Sequence, residues 1–131
     1  MLLAVSSTSN SLDSPICPSF GRCPYFIFAE VENGEIKKWE GVENVYVNAF
    51  RGAGIATAQL VASKKPEAVI TGNMGPNSYA ALSSVGIKVY VSPMVSVREA
   101  IKLFLDGKLQ EMIRPAGRWR WRRGWGWGRR W

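Results

Sequence analysis

What most constrains this chain is a change of hydrophobic period near residue 52. Before it, the apolar residues fall in short strand-length runs. Leu2-Leu3-Ala4-Val5 is a continuous apolar run of the kind found in strands buried on both faces. After a polar loop rich in Ser, Asn, Asp and Pro, Tyr25-Phe26-Ile27-Phe28-Ala29 has the aromatic and β-branched content of a second strand. Asn33-Gly34 then supplies the two residues that a tight hairpin turn needs at positive φ, so residues 36–47 are predicted to return antiparallel.

Beyond that point helices and strands alternate. Residues 52–63 (GAGIATAQLVAS) read as a helix, with Ala53, Ala56 and Leu60 at helical spacing. Residues 67–71 read as a strand and residues 76–85 as a second helix, with Pro76 at an allowed early position and Gly86 as its stop. Residues 87–91 form another predicted strand. Ser96 and Glu99 have the spacing of a capping box for a third helix over residues 97–106, closed by Gly107. The order β-β-β-α-β-α-β-α predicts an α/β domain with a mixed five-stranded sheet and helices on its faces. Right-handed crossovers would join the parallel strands. A ribonuclease-H-like three-layer fold suits this order and a pure Rossmann fold does not.

The 131 residues fit one domain, predicted over residues 1–113, plus an appendage over residues 114–131. Charge separates the two. The chain carries a net +7, but the last fifteen residues, GRWRWRRGWGWGRRW, hold six arginines and no acid. The rest has eleven Lys and Arg against ten acids, so a basic-partner argument concerns the appendage alone. The appendage also holds five of the six tryptophans. A low-complexity segment that cannot bury five indoles by itself is expected to be disordered or sticky, and polyanion contact with nucleic acid or an anionic surface is one reading of it. The start lacks the basic n-region of a signal peptide, and no apolar stretch approaches the ~20 residues of a transmembrane helix. The expectation is a cytoplasmic protein with reduced thiols.

Several chemistries are excluded by residue type. Histidine is absent, which removes Ser-His-Asp and Cys-His catalysis and His-ligated zinc. A nuclease of ribonuclease-H-like fold needs clustered carboxylates with one on the first strand, but the aspartates are only Asp13, in a loop, and Asp106, near a helix end. Residues 52–57 make a partial G-x-G-x-x-G without its third glycine and without a following ribose-binding acid, so dinucleotide binding is rejected. No acid–base pair suggests an enzyme.

The ordered motifs resemble one family. Asp13-Ser14-Pro15 followed by Phe20-Gly21-Arg22-Cys23-Pro24-Tyr25-Phe26 resembles its "DS…FGR-x-PYF" stretch. Val31-Glu32-Asn33-Gly34-Glu35-Ile36 resembles its hairpin, and Gly52-Ala53-Gly54-Ile55 its "GAGI" helix start. Ala68-Val69-Ile70-Thr71-Gly72-Asn73 with Gly75-Pro76-Asn77 resembles its "VI-x-GN-x-GPN" loop. Gly86-Ile87-Lys88-Val89-Tyr90 and Val97-Arg98-Glu99-Ala100-Ile101 complete the collinear series. Together they resemble the dinitrogenase iron–molybdenum cofactor biosynthesis family, which includes NifX, NafY, the C-terminal part of NifB and the orange protein. The resemblance implies a ribonuclease-H-like fold and a non-catalytic carrier of an iron-, molybdenum- or copper-sulfide cluster. It also implies a protein that donates or accepts the cluster. Where some nitrogenase-linked members place a histidine ligand, this chain has none.

The candidate residues fall in three loops. Cys17 and Cys23 are the only thiols, and thiolate suits soft metals. Arg22, beside Cys23, would favour its thiolate. The alternative for each cysteine is a small packed residue; a disulfide between them is conceivable but not expected in a reducing cytosol. Two cysteines cannot by themselves supply the four thiolates of a standard iron–sulfur cluster. Arg51, Gly52 and Gly54 open a helix whose N–H groups could face an anion, or else the glycines only permit close packing. Asn73, Gly75 and Asn77 leave a strand at its carboxyl end, where α/β sheets hold ligands, or form a turn and cap with no ligand. Met74 is expected to pack rather than ligate.

Overall fold

The computed structural model describes residues 1–46 and 53–113. The first strand, β1 (Leu2–Ser7), pairs antiparallel with β2 (Tyr25–Glu32), and β2 pairs antiparallel with β3 (Glu35–Glu43). The hairpin turn is the expected one, with Asn33 at φ 53° and Gly34 at φ 78°. Helix α1 (Ala53–Ser63) crosses to β4 (Ala68–Thr71), which lies parallel to β1, and α2 (Pro76–Ser83) crosses to β5 (Lys88–Val91), parallel to β4. Helix α3 (Val97–Leu105) follows, its first turn closed by the Glu99 N–H donating to Ser96 Oγ at 3.1 Å.

The sheet has six strands in the order β3-β2-β1-β4-β5-β6, one more than expected. The additional strand, β6 (Gln110–Glu111), runs antiparallel to β5. It contributes two exposed polar residues, too few to carry a hydrophobic alternation, and the chain reaches it by turning at Gly107 (φ 73°).

Alternation along the strands builds two cores. Ala4, Phe26, Phe28, Val69 and Val89 point to the side covered by Ala58 and Val61 of α1 and Leu82 of α2. Leu3, Val5, Ile27, Ala29 and Ile70 point to the other, covered by Val97, Ala100 and Ile101 of α3. The result is three layers, and it explains why the central strands β1 and β4 read as unbroken apolar runs. The expected stripe on α1 needs correction: its buried residues are Ala53, Thr57, Ala58 and Val61, with Ala56 and Leu60 half-buried. Small apolar residues occur on every side of this helix, so period alone does not phase it. No helix among the described residues is long and apolar enough to cross a membrane.

Candidate functional site

The parallel pair β1 and β4 ends at one edge of the sheet, and the chain leaves them in opposite directions, towards β2 and towards β5. Ligands of open α/β sheets settle outside the carboxyl ends of strands at such a switch point. Here the space is occupied by the loop of residues 15–24, which carries both cysteines.

That loop is tied down along its length. The Ile16 N–H donates to the Val95 carbonyl at 2.9 Å and the Cys17 N–H to the Ser6 carbonyl at 3.0 Å. Ser6 Oγ lies 2.9 Å from the Cys17 carbonyl and 3.0 Å from Thr71 Oγ1, joining β1, β4 and the loop through buried hydroxyls. The Phe20 N–H donates to the Asn73 carbonyl at 3.1 Å, and the Phe20 ring meets Phe26 edge-on at 5.1 Å. At the far end the Asn44 amide donates to the Cys23 carbonyl at 2.9 Å and lies 3.2 Å from Thr57 Oγ1 on α1. The strand ends, the helix start and the cysteine loop thus form one hydrogen-bonded unit.

Two glycines make the approach close enough. A Cβ on Gly54 would stand 2.5 Å from Ser78 Oγ, and one on Gly72 would stand 2.8 Å from Pro18 Cα. For Gly54 the packing reading therefore accounts for the glycine: α1 and α2 meet there without room for a side chain. Gly75, by contrast, faces open space at the extended N-cap of α2.

The two thiols lie side by side. Both are free, both are buried in the core under α1 and α2, and each bears on the ionisation of the other. Each has a further acceptor: the Ser19 carbonyl at 3.5 Å for Cys17 and the Phe20 carbonyl at 3.3 Å for Cys23. Two neighbouring thiols resist a second negative charge once one of them has ionised. The hydrogen bond from Cys23 lowers the Cys17 thiol to about 6, while the same contact, reinforced by burial, pushes Cys23 well above the ordinary thiol range. Of the two, Cys17 is the thiol more readily ionised.

The other expected residues are distributed around this pair. Arg22 is exposed beside Cys23. Asn73 is exposed, its Oδ1 accepting the Met74 N–H at 2.9 Å, so its side chain caps its own loop. Asn77 is exposed in the first turn of α2. Met74 is buried in the same apolar cluster as both cysteines. Arg51 and Gly52 lie outside the described residues. Residues not singled out from the sequence also belong to the site: Ser6, Thr71, Asn44 and Thr57 are buried polar side chains that hold its parts together. Asn44, an amide at the start of an apolar Val-Tyr-Val run, was the one visible signal. No group of three or more His, Cys, Asp or Glu side chains converges among the described residues.

Comparison with known proteins gives a consistent picture. A family model described as dinitrogenase iron-molybdenum cofactor matches residues 1–107. An uncharacterized protein of Methanocaldococcus jannaschii is 41% identical over 111 residues, covering 85% of this chain and 91% of that protein. The apo form of the orange protein from Desulfovibrio gigas superposes with a TM-score of 0.83 at 31% identity, covering 88% of this chain and 96% of that one. A Thermotoga protein described as a NifB protein, solved by NMR, superposes with a TM-score of 0.72 at 34% identity, covering 84% and 91%.

Proposed function

Because the chain belongs to the dinitrogenase iron–molybdenum cofactor family, we propose that it is a non-catalytic binding or carrier protein for an anionic metal–sulfur cluster. The cluster is cargo, of the iron–molybdenum-cofactor or molybdenum–copper sulfide type, passed on from a donor or to an acceptor protein. The observation that carries this reading is the convergence of the dithiol loop, the start of α1 and the loop after β4 at the carboxyl ends of β1 and β4. With two thiols and no larger donor group among the described residues, the protein would provide at most a small part of the metal's ligand shell. The cargo would bring its own sulfides. Main-chain N–H groups at the open N-terminus of α2 and the cationic side chains Arg22 and Arg51 would offset its negative charge.

The meander followed by two crossovers also supports a ribonuclease-H-like classification. The test is anaerobic reconstitution with tetrathiomolybdate and copper, or with an iron–sulfur donor. A new visible absorption band is expected, weakened in Cys17→Ala and Cys23→Ala. Retention of no metal under any of these conditions would overturn the proposal.

A second reading rests on the six arginines and five tryptophans that end the chain, residues outside those described. They would bind a nucleic acid or an anionic surface. A protein truncated after Ala116 separates the readings: metal binding should survive, while polyanion binding should vanish and should already fall steeply with salt.

A further inference from the structure

We infer that Cys17 and Cys23 form a reversible dithiol–disulfide couple, in which Cys17 meets a small-molecule disulfide oxidant and Cys23 resolves the resulting mixed disulfide.

Position separates the roles. Cys17 is 7% exposed and is followed by exposed Pro18 and Ser19, so of the two thiols it is the nearer to the loop surface and the one a reagent meets first. Cys23 is 0% exposed, packed among Phe20, Phe26 and Met74, and its accessible neighbour is the Cys17 sulfur. A reagent that arrives at Cys17 thus places its own leaving sulfur outside and presents the Cys17 sulfur to Cys23.

The chemistry balances as two exchanges. The Cys17 thiolate attacks one sulfur of the reagent, forming a mixed disulfide and expelling one small thiolate. Cys23 then gives up its proton and attacks the Cys17 sulfur, forming the Cys17–Cys23 bond and expelling the second small thiolate. The protein loses two electrons and two protons, and one reagent disulfide becomes two thiols. The reverse sequence, with a dithiol reductant, restores the pair.

The loop favours an internal disulfide over one between chains. Its main chain is anchored at both cysteines by bonds that do not involve sulfur, Cys17 N–H to Ser6 and Cys23 carbonyl to Asn44, so these contacts need not break for the sulfurs to join. There is no third cysteine to compete. Buried Cys23 faces its partner within the chain rather than a neighbouring molecule. The couple does not depend on the cluster reading; only its consequence does, since an oxidised pair has no thiolate to offer a soft metal.

The experiment treats the full metal-free chain with oxidised glutathione and follows thiol titre, intact mass and non-reducing peptide maps. The expected result is loss of both thiols, an intact mass lower by two hydrogens, no added glutathione, and a peptide joining Cys17 to Cys23. Dithiothreitol should return both thiols. Cys23→Ala should stop at a stable glutathione adduct on Cys17, and Cys17→Ala should leave Cys23 unmodified while folded. Two intact thiols, a persistent adduct on the unsubstituted chain, or a disulfide between chains would overturn the inference. Because the assay contains no metal, failure here leaves the cluster reading standing, and failure of metal reconstitution leaves this inference standing.

Discussion

The Asn44 side-chain amide donates to the Cys23 carbonyl across 2.9 Å and so joins the residue just past β3 to the end of the cysteine loop. The same side chain, only 1% exposed, accepts the Tyr46 N–H at 3.0 Å and contacts Thr57 of α1. Asn44→Ala would leave the Cys23 carbonyl and the Tyr46 N–H without that partner, at a cost of about 1–3 kcal/mol. Chemical denaturation should report this loss, and alkylation of Cys23 in the native protein should quicken. Glu43→Ala, one residue earlier and exposed, should change stability by no more than about 0.5 kcal/mol.

The contact between Gly54 and Ser78 gives a second prediction. A Cβ at position 54 would meet Ser78 Oγ at 2.5 Å, so Gly54→Ala should destabilise by about 1–3 kcal/mol through overpacking. Ser78→Ala removes the obstructing hydroxyl. In that background Gly54→Ala should be neutral or stabilising, because alanine outranks glycine in a helix, by less in the first turn, where Gly54 sits, than the roughly 1 kcal/mol of a helix interior. A double-mutant cycle measures the difference. If Gly54→Ala costs the same with and without the Ser78 hydroxyl, close packing is not what this glycine serves.

Protonation of the thiol pair should make stability depend on pH in a specific window. The Cys17 thiol titrates near 6 in the folded protein, below the value of about 8.5 for a thiol in an unfolded chain. Between those values the unfolded state holds the extra proton, so stability rises with pH from 6 to about 8.5 and is lost as pH falls through 6. Above that range the sign reverses, because Cys23 keeps its proton in the folded state and releases it on unfolding. Denaturant midpoints across this range should therefore pass through a maximum, and Cys17→Ala should remove the rising limb. Alkylation of Cys17 should reach half its limiting rate near pH 6.

These relationships differ in how far they could be read from the chain itself. The Asn33-Gly34 turn, the capping Ser96 and the stops at Gly86 and Gly107 were legible, since each depends on a backbone preference of a few adjacent residues. The meeting of the cysteine loop with the loop after β4 was legible at the level of topology. Strand β6 was not, because its two residues are specified by pairing with β5 rather than by a pattern of their own. The roles of Asn44 and Thr57 were not, because their bonds span 21 residues to the Cys23 carbonyl and 13 residues between each other, and exist only in the folded chain. Which cysteine ionises more readily was not legible, because that follows from the nearness of the two thiols, which depends on the path of the loop between them.

The same contact bears on the kind of cargo. A standard iron–sulfur cluster takes four thiolates, and this chain has two. Two chains could supply four only by facing each other through residues 17–23. That arrangement conflicts with the observed burial: Cys23 lies under Phe20 and Phe26, and the loop's main chain is bonded inward to Ser6, Asn73 and Asn44. Exposing both sulfurs to a second molecule would break those bonds and open the core. A cluster carrying its own sulfides, with one or two protein thiolates, asks for much less: only Cys17, at the edge of the loop, has to turn outward. Metal-loaded protein is therefore expected to sediment at the same mass as the apo form, with its metal retained by each chain separately. A metal-dependent dimer sharing four iron atoms between two chains would show that the loop opens after all.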